Sequence, residues 1–253
     1  MNTLLIDIGN SRIKWTLASG DRLVSDVQSS EPAQLLQAMS AWAGGIRAPD
    51  RVRLVSVIEH SVISQVNDWV SEHWGVPVQR VRTPNSGHGG GVQIGYDRPA
   101  QLGADRWLAM VGARARNLLP ACVIDAGSAI TFDLINENAQ HQGGLIMAGL
   151  LAQQAGLRAI TPELPAVDFQ PGQSASVKNT PVFARNTRAA LYSGGVHATA
   201  AALDALVCNA NNAQQMTCQV VLTGGDAVEI AAAMRCESTI HPNLVLEGLA
   251  ALS

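Results

Sequence analysis

The apolar positions in the first half of the chain follow the two spacings that distinguish strands from helices. Runs that are continuously apolar, or that alternate with polar residues, predict strands. Apolar residues that recur every three to four positions predict amphipathic helices. The predicted strands cover residues 4–8, 12–19, 21–27, 52–58 and 76–81. The predicted helices cover residues 31–44, 61–74 and 102–117.

The second half of the chain begins with a similar order of elements. Three strands are predicted first, and helices follow them. The predicted strands cover residues 122–127, 129–135, 141–149 and 217–225. The predicted helices cover residues 150–160, a stretch within 185–208, residues 227–234 and a short final helix that opens at 242–244. Strands mixed with helices in both halves predict an α/β fold.

Both halves end their first buried strand in the same kind of turn. The sequence LLIDIGN contains Asp7 and Gly9, and the sequence CVIDAGS contains Asp125 and Gly127. Two unrelated α/β domains that each use a tight turn would be the simpler explanation. The matching aspartate, glycine and small polar residue favour duplication of one domain instead. The expected domains are residues 1–117 and 118–253, with the boundary near residues 117–120.

Composition limits the classes of partner. The chain has 253 residues, of which 47% are hydrophobic and 15% charged, so it can bury a sizeable core. A net charge of −3 gives no electrostatic reason to expect nucleic acid or an anionic membrane as partner. The four cysteines form no CxxC pair, which argues against a zinc site. Since the first strand starts almost at Met1, with no signal-like or membrane-length segment, the expected location is the cytoplasm.

The repeated turns carry the first candidate chemistry. A carboxylate at the end of a buried strand is costly unless something compensates it, and the glycine lets a ligand approach the main chain. Exposed amides can cradle phosphate, with Mg²⁺ between phosphate and carboxylate. Both aspartates could instead accept only turn hydrogen bonds, but their repetition favours a nucleotide. The candidates are Asp7, Gly9, Asn10, Ser11, Lys14, Asp125, Gly127 and Ser128.

The sequence GADR, residues 103–106, carries the second candidate chemistry. Asp105 opens a predicted helix, where it can act as the general base that accepts the proton of an acceptor alcohol. Arg106 can bind a carboxylate or a phosphoryl group. An Asp-Arg pair at a helix start is more often a solvated cap with a surface charge, and the residues alone leave both interpretations open.

Other motifs are absent from the sequence or weak. Neither GxxxxGK[ST] nor GxGxxG occurs, so a P-loop and a Rossmann fingerprint lack their defining turns. The HGGG at residues 88–91 is not accompanied by a GxSxG nucleophile elbow. Its glycines are expected to permit a mobile segment near the acceptor site. The histidines show no spacing typical of metal ligands.

Taken together, the motifs that are present resemble those of the actin-like, Hsp70-like and sugar-kinase superfamily. Within it they resemble the type III pantothenate kinases, also called Bvg accessory factors. The resemblance extends from the first strand to the C-terminal NLVLEGL. The motifs that carry it are DIGNSRIK, YDRPAQLGADRW, DAGSAITFD, GGLIMAG, RNTRAALYSG and TGGDA. It implies two duplicated RNase H-like (actin-like ATPase) domains with an interdomain nucleotide cleft. The implied reaction is ATP-dependent phosphorylation of pantothenate, the first step of coenzyme A synthesis.

The resemblance also implies roles for individual residues. It makes Asp105 the catalytic base, and Asp7 the residue that binds Mg²⁺ directly or through water. It links Asp125 to a monovalent cation, K⁺ or NH₄⁺. Gly224 and Gly225 would lie near the adenosine. The implied pantothenate contacts are Tyr96, Gly103, Ala104, Asp105, Arg106 and Thr187, with Thr180 as the rival of Thr187.

Members of this family are homodimers, and a helix within residues 188–206 is one candidate for the subunit contact. Two positions depart from the family pattern, Ser128 in place of threonine and Ala148 in place of proline. Two other functions remain open. One is a nucleotide-binding regulator of transcription without kinase activity, and the other is a kinase of the same fold for another small alcohol or acid.

Overall fold

The computed structural model describes residues 1–58, 61–167 and 182–252. These residues form two compact units. The first unit contains residues 1–117 and 243–253, and the second contains residues 118–242. The C-terminal segment 243–253, which the sequence assigned to the second domain, therefore packs within the first unit.

The first unit is built on a sheet whose central strand is buried on both faces. Its strands are β1 (Asn2–Ile8), β2 (Ile13–Ser19), β3 (Arg22–Leu23), β4 (Gln28–Ser30), β5 (Arg51–Ser56) and β6 (Val78–Arg80). The order is β3-β2-β1-β5-β6, with β4 also paired to β2. Strand β2 runs antiparallel to β1, while β5 runs parallel to it.

Helices and one hairpin complete this unit. They are α1 (Leu35–Ala43), α2 (Ser61–Trp74), the hairpin β7 (His88–Gly89) and β8 (Val92–Gln93), and α3 (Ala104–Ala115). Short 3₁₀ helices at Pro32–Gln34 and Pro99–Gln101 precede α1 and α3. Helices α1 and α2 cover one sheet face, where their apolar stripes join a core that includes Trp15, Met39 and Val66.

The second unit repeats the topology of the first. Its strands are β9 (Ala121–Ala126), β10 (Ala129–Ile135), β11 (His141–Ala148), β12 (Gln219–Thr223) and β13 (Thr239–Ile240). The order is β11-β10-β9-β12-β13. Again the first strand has its antiparallel partner on one side and a parallel partner on the other. This shared pairing confirms the predicted α/β class and agrees with duplication of one domain.

The helices of the second unit are α4 (Leu150–Ile160), α5 (Thr187–Gln214) and α6 (Ala227–Ala233). Helices α5 and α6 contribute Val196, Leu203 and Ile230 to a core against β9, β10 and β12. Helix α5 ends at Gln214, and its C-cap Gln215 has a left-handed φ of 54° that stops the helix.

A last helix, α7 (Leu244–Ala250), packs against α3 in the first unit. The two helices approach so closely that a Cβ added at Gly112 would collide with the Leu244 carbonyl oxygen. A Cβ added at Gly248 would collide with the carbonyl oxygen of Leu108. A second contact is an ion pair between Arg116 and Glu247. This crossing holds the C-terminal segment in the first unit and braces α3.

Most predicted elements are present, and the differences have local causes. The strand predicted at residues 21–27 is shortened to Arg22–Leu23, because the Ser25 hydroxyl accepts a hydrogen bond from the Leu17 amide (3.0 Å) and occupies the position of a ladder partner. The predicted helix at residues 31–44 begins with a 3₁₀ turn at Pro32. The hairpin β7–β8 and the strands β4 and β13 were not predicted. Across the residues that the structure describes, every helix is too short or too polar to cross a membrane.

Candidate active site

The acidic turn of the first unit follows the end of β1. Asp7 is half-buried, and the β1–β2 register sets Lys14 directly opposite it. The Gly9 amide donates to the Arg12 carbonyl oxygen (3.0 Å) and closes the turn. Asn10 and Ser11 are exposed at its tip. The five predicted residues of this turn are thus brought together at one end of the sheet.

The acidic turn of the second unit occupies the equivalent position in its sheet. Asp125 is half-buried near the end of β9, and the register flanks it with Thr131 of β10 and Thr223 of β12. The Gly127 amide donates to the Ala129 carbonyl oxygen (3.1 Å), and Ser128 is exposed. The neighbours of Asp125 are therefore hydroxyl-bearing, whereas Lys14 stands beside Asp7.

Two glycine segments pack against this second turn. The Gly149 amide donates to the Ser128 carbonyl oxygen (3.3 Å), and a Cβ at Gly149 would lie 2.6 Å from that oxygen. Gly224 has a φ of +96°, and a Cβ there would lie 2.5 Å from Asp125 Oδ1. These contacts place the TGGDA motif beside the Asp125 turn. The contact at Gly149 also shows that the GGLIMAG motif supports this turn through its backbone.

Asp226 is a candidate site residue that was not predicted from the sequence. Its amide donates to the Ala126 carbonyl oxygen (2.9 Å), so it sits beside the same turn. Burial, together with the smaller effect of the nearby charge of Glu229, raises the pKa of Asp226 to about 6. Its place directly after Gly224 and Gly225 in the motif was the available signal.

The GADR residues lie at the start of α3, where Gly103 is the N-cap and Asp105 lies in the first turn. Arg106 is only 5% exposed, and its Nη1 donates to the Tyr96 hydroxyl (2.9 Å). The guanidinium carbon is also 5.7 Å from the centroid of the Tyr96 ring. A buried guanidinium held by a tyrosine is not a surface charge, so that alternative is wrong for Arg106.

The glycine-rich segment before Tyr96 is packed onto α3. Gly90 and Gly91 have positive φ values of 58° and 72°, as a tight two-residue hairpin turn requires. The Trp107 indole donates to the Gly89 carbonyl oxygen (3.2 Å), and a Cβ at Gly90 would lie 2.6 Å from Val111 Cγ2. The small size of these glycines allows this close approach, and the mobility predicted for the segment stays a prediction.

Thr187 and Thr180 are the two rival predictions for one substrate contact. Thr187 is the exposed first residue of α5, and the Asn186 side chain before it accepts the Ala189 amide (2.9 Å) as the helix cap. Thr180 lies outside the described residues.

The donor chemistry of the turns fits a magnesium nucleotide. Within the described ranges, no group of three or more His, Cys, Asp or Glu side chains is arranged to hold a metal ion by itself. Mg²⁺ bound with a nucleotide needs only one or two protein carboxylates, because phosphates and water supply the other oxygens. A half-buried aspartate beside an exposed turn, as at Asp7 and Asp125, meets that need.

The similarity of the chain to known proteins extends over nearly its whole length. A family model described as type III pantothenate kinase matches residues 3–209. The type III pantothenate kinase of Halorhodospira halophila is 33% identical over 254 residues, which cover 97% of this chain and 95% of that protein. The type III pantothenate kinase of Alkalilimnicola ehrlichii is 34% identical over 257 residues, which cover 99% of this chain and 97% of that protein.

Solved structures with the same fold have much lower sequence identity. A protein from Campylobacter jejuni, described as a Baf family transcriptional activator, has a TM-score of 0.57 at 20% identity, covering 97% of this chain and 94% of that one. A ROK family glucokinase from Streptomyces griseus, in complex with glucose and AMPPNP, has a TM-score of 0.51 at 13% identity, covering 100% and 99%. At these identities the likeness concerns the fold alone, and it confirms the predicted fold class.

Proposed function

Because this chain belongs to the type III pantothenate kinase family, we propose that it transfers the γ-phosphoryl group of ATP to the primary hydroxyl of pantothenate, the first step of coenzyme A biosynthesis. The observation that carries the proposal is the start of α3. There a buried arginine, hydrogen-bonded to a tyrosine, lies next to the half-buried carboxylate of Asp105.

Asp105 is the proposed general base. It accepts the proton of the pantothenate hydroxyl as that oxygen attacks the γ-phosphorus of ATP. A phosphate ester forms while the bond between the γ-phosphorus and the β–γ bridging oxygen breaks, and ADP leaves with that electron pair. The Oδ1 atom of Asp105 accepts a hydrogen bond from the Arg106 amide (2.9 Å). This bond holds the Asp105 carboxylate in the first turn of α3.

The remaining acceptor residues are proposed to bind and orient pantothenate. Arg106 and Tyr96 are joined by a hydrogen bond, and together they suit a substrate carboxylate. Gly103 and Ala104 would contact the substrate through the main chain at the helix start. Thr187, exposed at the first position of α5, is proposed as a further contact.

The acidic turns are proposed to bind the nucleotide phosphates. In the first unit Asp7 would hold Mg²⁺, directly or through water, while Gly9, Asn10, Ser11 and Lys14 face the phosphates. In the second unit Gly127, Ser128, Gly224 and Gly225 would contact ATP. Bound Mg²⁺ supplies charge neutralisation to the phosphates.

Asp125 is proposed to hold a monovalent cation, K⁺ or NH₄⁺. The flanking Thr131 and Thr223 are neutral, so the register sets no cationic residue directly opposite Asp125 in β10 or β12. Carboxylate and hydroxyl oxygens are hard ligands that suit such an ion.

We also propose a homodimer, and the exposed apolar side chains of the second unit support it. They lie on the edge strand β11 and on α4: Leu145, Ile146, Leu151, Leu157 and Ile160. Ile146 is 66% exposed on an edge strand, a position that natural proteins usually protect. Within the described part of α5, no large apolar side chain is comparably exposed, so this surface is a better candidate than the helix suggested by the sequence. The cytoplasm, which supplies ATP, is the proposed location.

Release of ADP, measured with and without pantothenate, tests the proposal. Wild-type protein should release ADP only with pantothenate and more slowly when sodium replaces potassium. Asp105→Asn should lower kcat by about 10²-fold or more, while the exposed Asp68→Asn on α2 serves as control. Near-normal turnover by Asp105→Asn would remove the base assignment. ADP release that needs a different alcohol or acid indicates another substrate, and binding of ATP without any release indicates a regulator.

A further inference from the structure

Thr83 connects an earlier part of the chain to the start of α3. It lies between β6 and the hairpin β7–β8, and it is 8% exposed. Its hydroxyl donates a buried hydrogen bond of 2.7 Å to the Leu102 carbonyl oxygen. Leu102 directly precedes Gly103, the N-cap of α3. A buried side chain thus fixes the peptide from which the GADR segment begins.

The orientation of that peptide determines where the Asp105 carboxylate lies. A Cβ added at Gly103 would be 2.5 Å from Asp105 Oδ1, so the carboxylate rests against the Gly103 main chain. The Gly103 carbonyl oxygen accepts the Trp107 amide (3.1 Å), which starts the helix. Because these contacts are short, a rotation of the 102–103 peptide would move the carboxylate and the first turn together.

Two other contacts of Leu102 do not fix the direction of its carbonyl group. Leu102 donates its amide to the Pro99 carbonyl oxygen (3.1 Å), within a short 3₁₀ segment that carries no stabilising ladder. The Leu102 side chain is buried, but apolar packing is not directional. A hydrogen bond to the carbonyl oxygen is directional, and a buried carbonyl that loses its partner will seek another one.

We propose that Thr83 is a positioning residue for phosphoryl transfer, which holds the 102–103 peptide so that the Asp105 carboxylate meets the acceptor hydroxyl. The proposal rests on the base role proposed for Asp105. It predicts that removal of the Thr83 hydroxyl slows the chemical step more than it weakens nucleotide binding.

Thr83→Val removes the hydroxyl at nearly constant volume and is compared with Thr16→Val. Thr16 is fully buried in β2 of the same unit, and its hydroxyl donates to the Ser25 carbonyl oxygen (2.8 Å). Thr83→Val loses one buried hydrogen bond. Thr16→Val loses the part-buried hydrogen bond to the Ser25 carbonyl oxygen and also the contact with the Ser25 hydroxyl (3.0 Å). A small misplacement at a reacting group can cost roughly 10- to 100-fold, so kcat should fall by that factor in Thr83→Val. Thr16→Val should lose at least as much thermal stability as Thr83→Val, with kcat unchanged.

The KM for ATP should stay within about 2-fold of wild type in every variant. The reason is that these substitutions do not change how ATP binds before the chemical step. Thr83→Ser, which retains the hydroxyl, should restore most of kcat. If Thr83→Val does not fold, Thr83→Ala removes the same hydroxyl without adding a methyl group and replaces it.

Asp105→Asn in the same assay separates the two proposals. If Asp105→Asn is inactive and the Thr83 variant has the kcat of Thr16→Val, the positioning role is overturned while the base role stands. If the Thr83→Ser variant is as slow as Thr83→Val, the hydroxyl is not the cause and the positioning role is again overturned. If Asp105→Asn keeps wild-type turnover, the base role fails, and the role of Thr83 fails with it.

Discussion

Substitution of Gly248 by alanine should destabilise the first unit and displace the acceptor residues. The added Cβ would collide with the Leu108 carbonyl oxygen and lie 2.7 Å from its carbonyl carbon and 3.1 Å from the Gly112 amide nitrogen. These are main-chain atoms of α3, so no side-chain rotation can relieve the contact. Helices α3 and α7 must move apart.

Two opposing contributions determine how much Gly248→Ala changes the free energy of unfolding. Alanine is favoured over glycine within a helix by about 1 kcal/mol. Overpacking of a well-packed interior costs about 1–3 kcal/mol, and contacts with the main chain belong at the upper end. We therefore expect a net loss of about 2 kcal/mol, which for a chain of this size lowers the Tm by roughly 4–8 °C. Since Asp105 and Arg106 begin α3, kcat should fall as well.

Thermal unfolding followed by circular dichroism, together with the ADP-release assay, measures both effects. Gly156→Ala in α4 and Gly194→Ala in α5 are matched controls, because a Cβ at either position meets no atom within 4 Å. Both controls should raise the Tm slightly through helix propensity alone. The reasoning is refuted if Gly248→Ala melts at or above the wild-type temperature, as the controls do.

Two further predictions concern the second unit. Asp226→Asn should stabilise the protein by about 1 kcal/mol at pH 8, after a discount for screening at a partly exposed site. The wild-type pKa of Asp226 is raised to about 6, so the free-energy cost of its ionised form grows as the pH rises from about 4 to 6. Below that pH window the cost is largely absent. Equal gains in Tm at pH 4 and pH 8 would contradict this. At pH 8 a thiol reagent should modify Cys208 rapidly and Cys122, Cys218 and Cys236 slowly, because Cys208 is exposed and burial raises the pKa of the other three. Cys208→Ser should abolish the fast phase, and a second fast thiol in the wild type would refute the assignment.

Hydrophobic periodicity predicted elements well where the pattern was long and the ends were marked. The helix Ser61–Trp74 and the strand Ala129–Ile135 match the predicted bounds, since Gly75 has a positive φ of 65° after the first and Gly127–Ser128 forms a turn before the second. Strand β13 has only two residues, too few for a period, and its pairing with β12 depends on the completed fold. The packing of α7 against α3 joins segments more than a hundred residues apart, and no local pattern encodes such a contact.

The site shows the same limit. Residue types and their spacing predicted the acidic turns and the GADR segment as candidate sites, because each is a short motif of adjacent residues. The burial of Arg106 and its bond to Tyr96 depend on how the loop before α3 returns to the helix. The raised pKa of Asp226 depends on its partial burial beside Glu229. These properties arise from tertiary packing, so sequence alone could not predict them.

The equivalent positions of the two acidic turns make their differences informative. Asp7 and Asp125 hold the same place in sheets of the same topology, yet the strand beside Asp7 offers Lys14 and the strands beside Asp125 offer Thr131 and Thr223. A lysine opposite a carboxylate offsets its charge, which suits a turn that must accept phosphates of the same sign. The hydroxyls of Thr131 and Thr223 are neutral oxygen donors, which together with the Asp125 carboxylate suit a cation. The two turns therefore share the backbone arrangement that positions each aspartate. The residues on the neighbouring strands differ, and this difference supports the different roles proposed for the two turns.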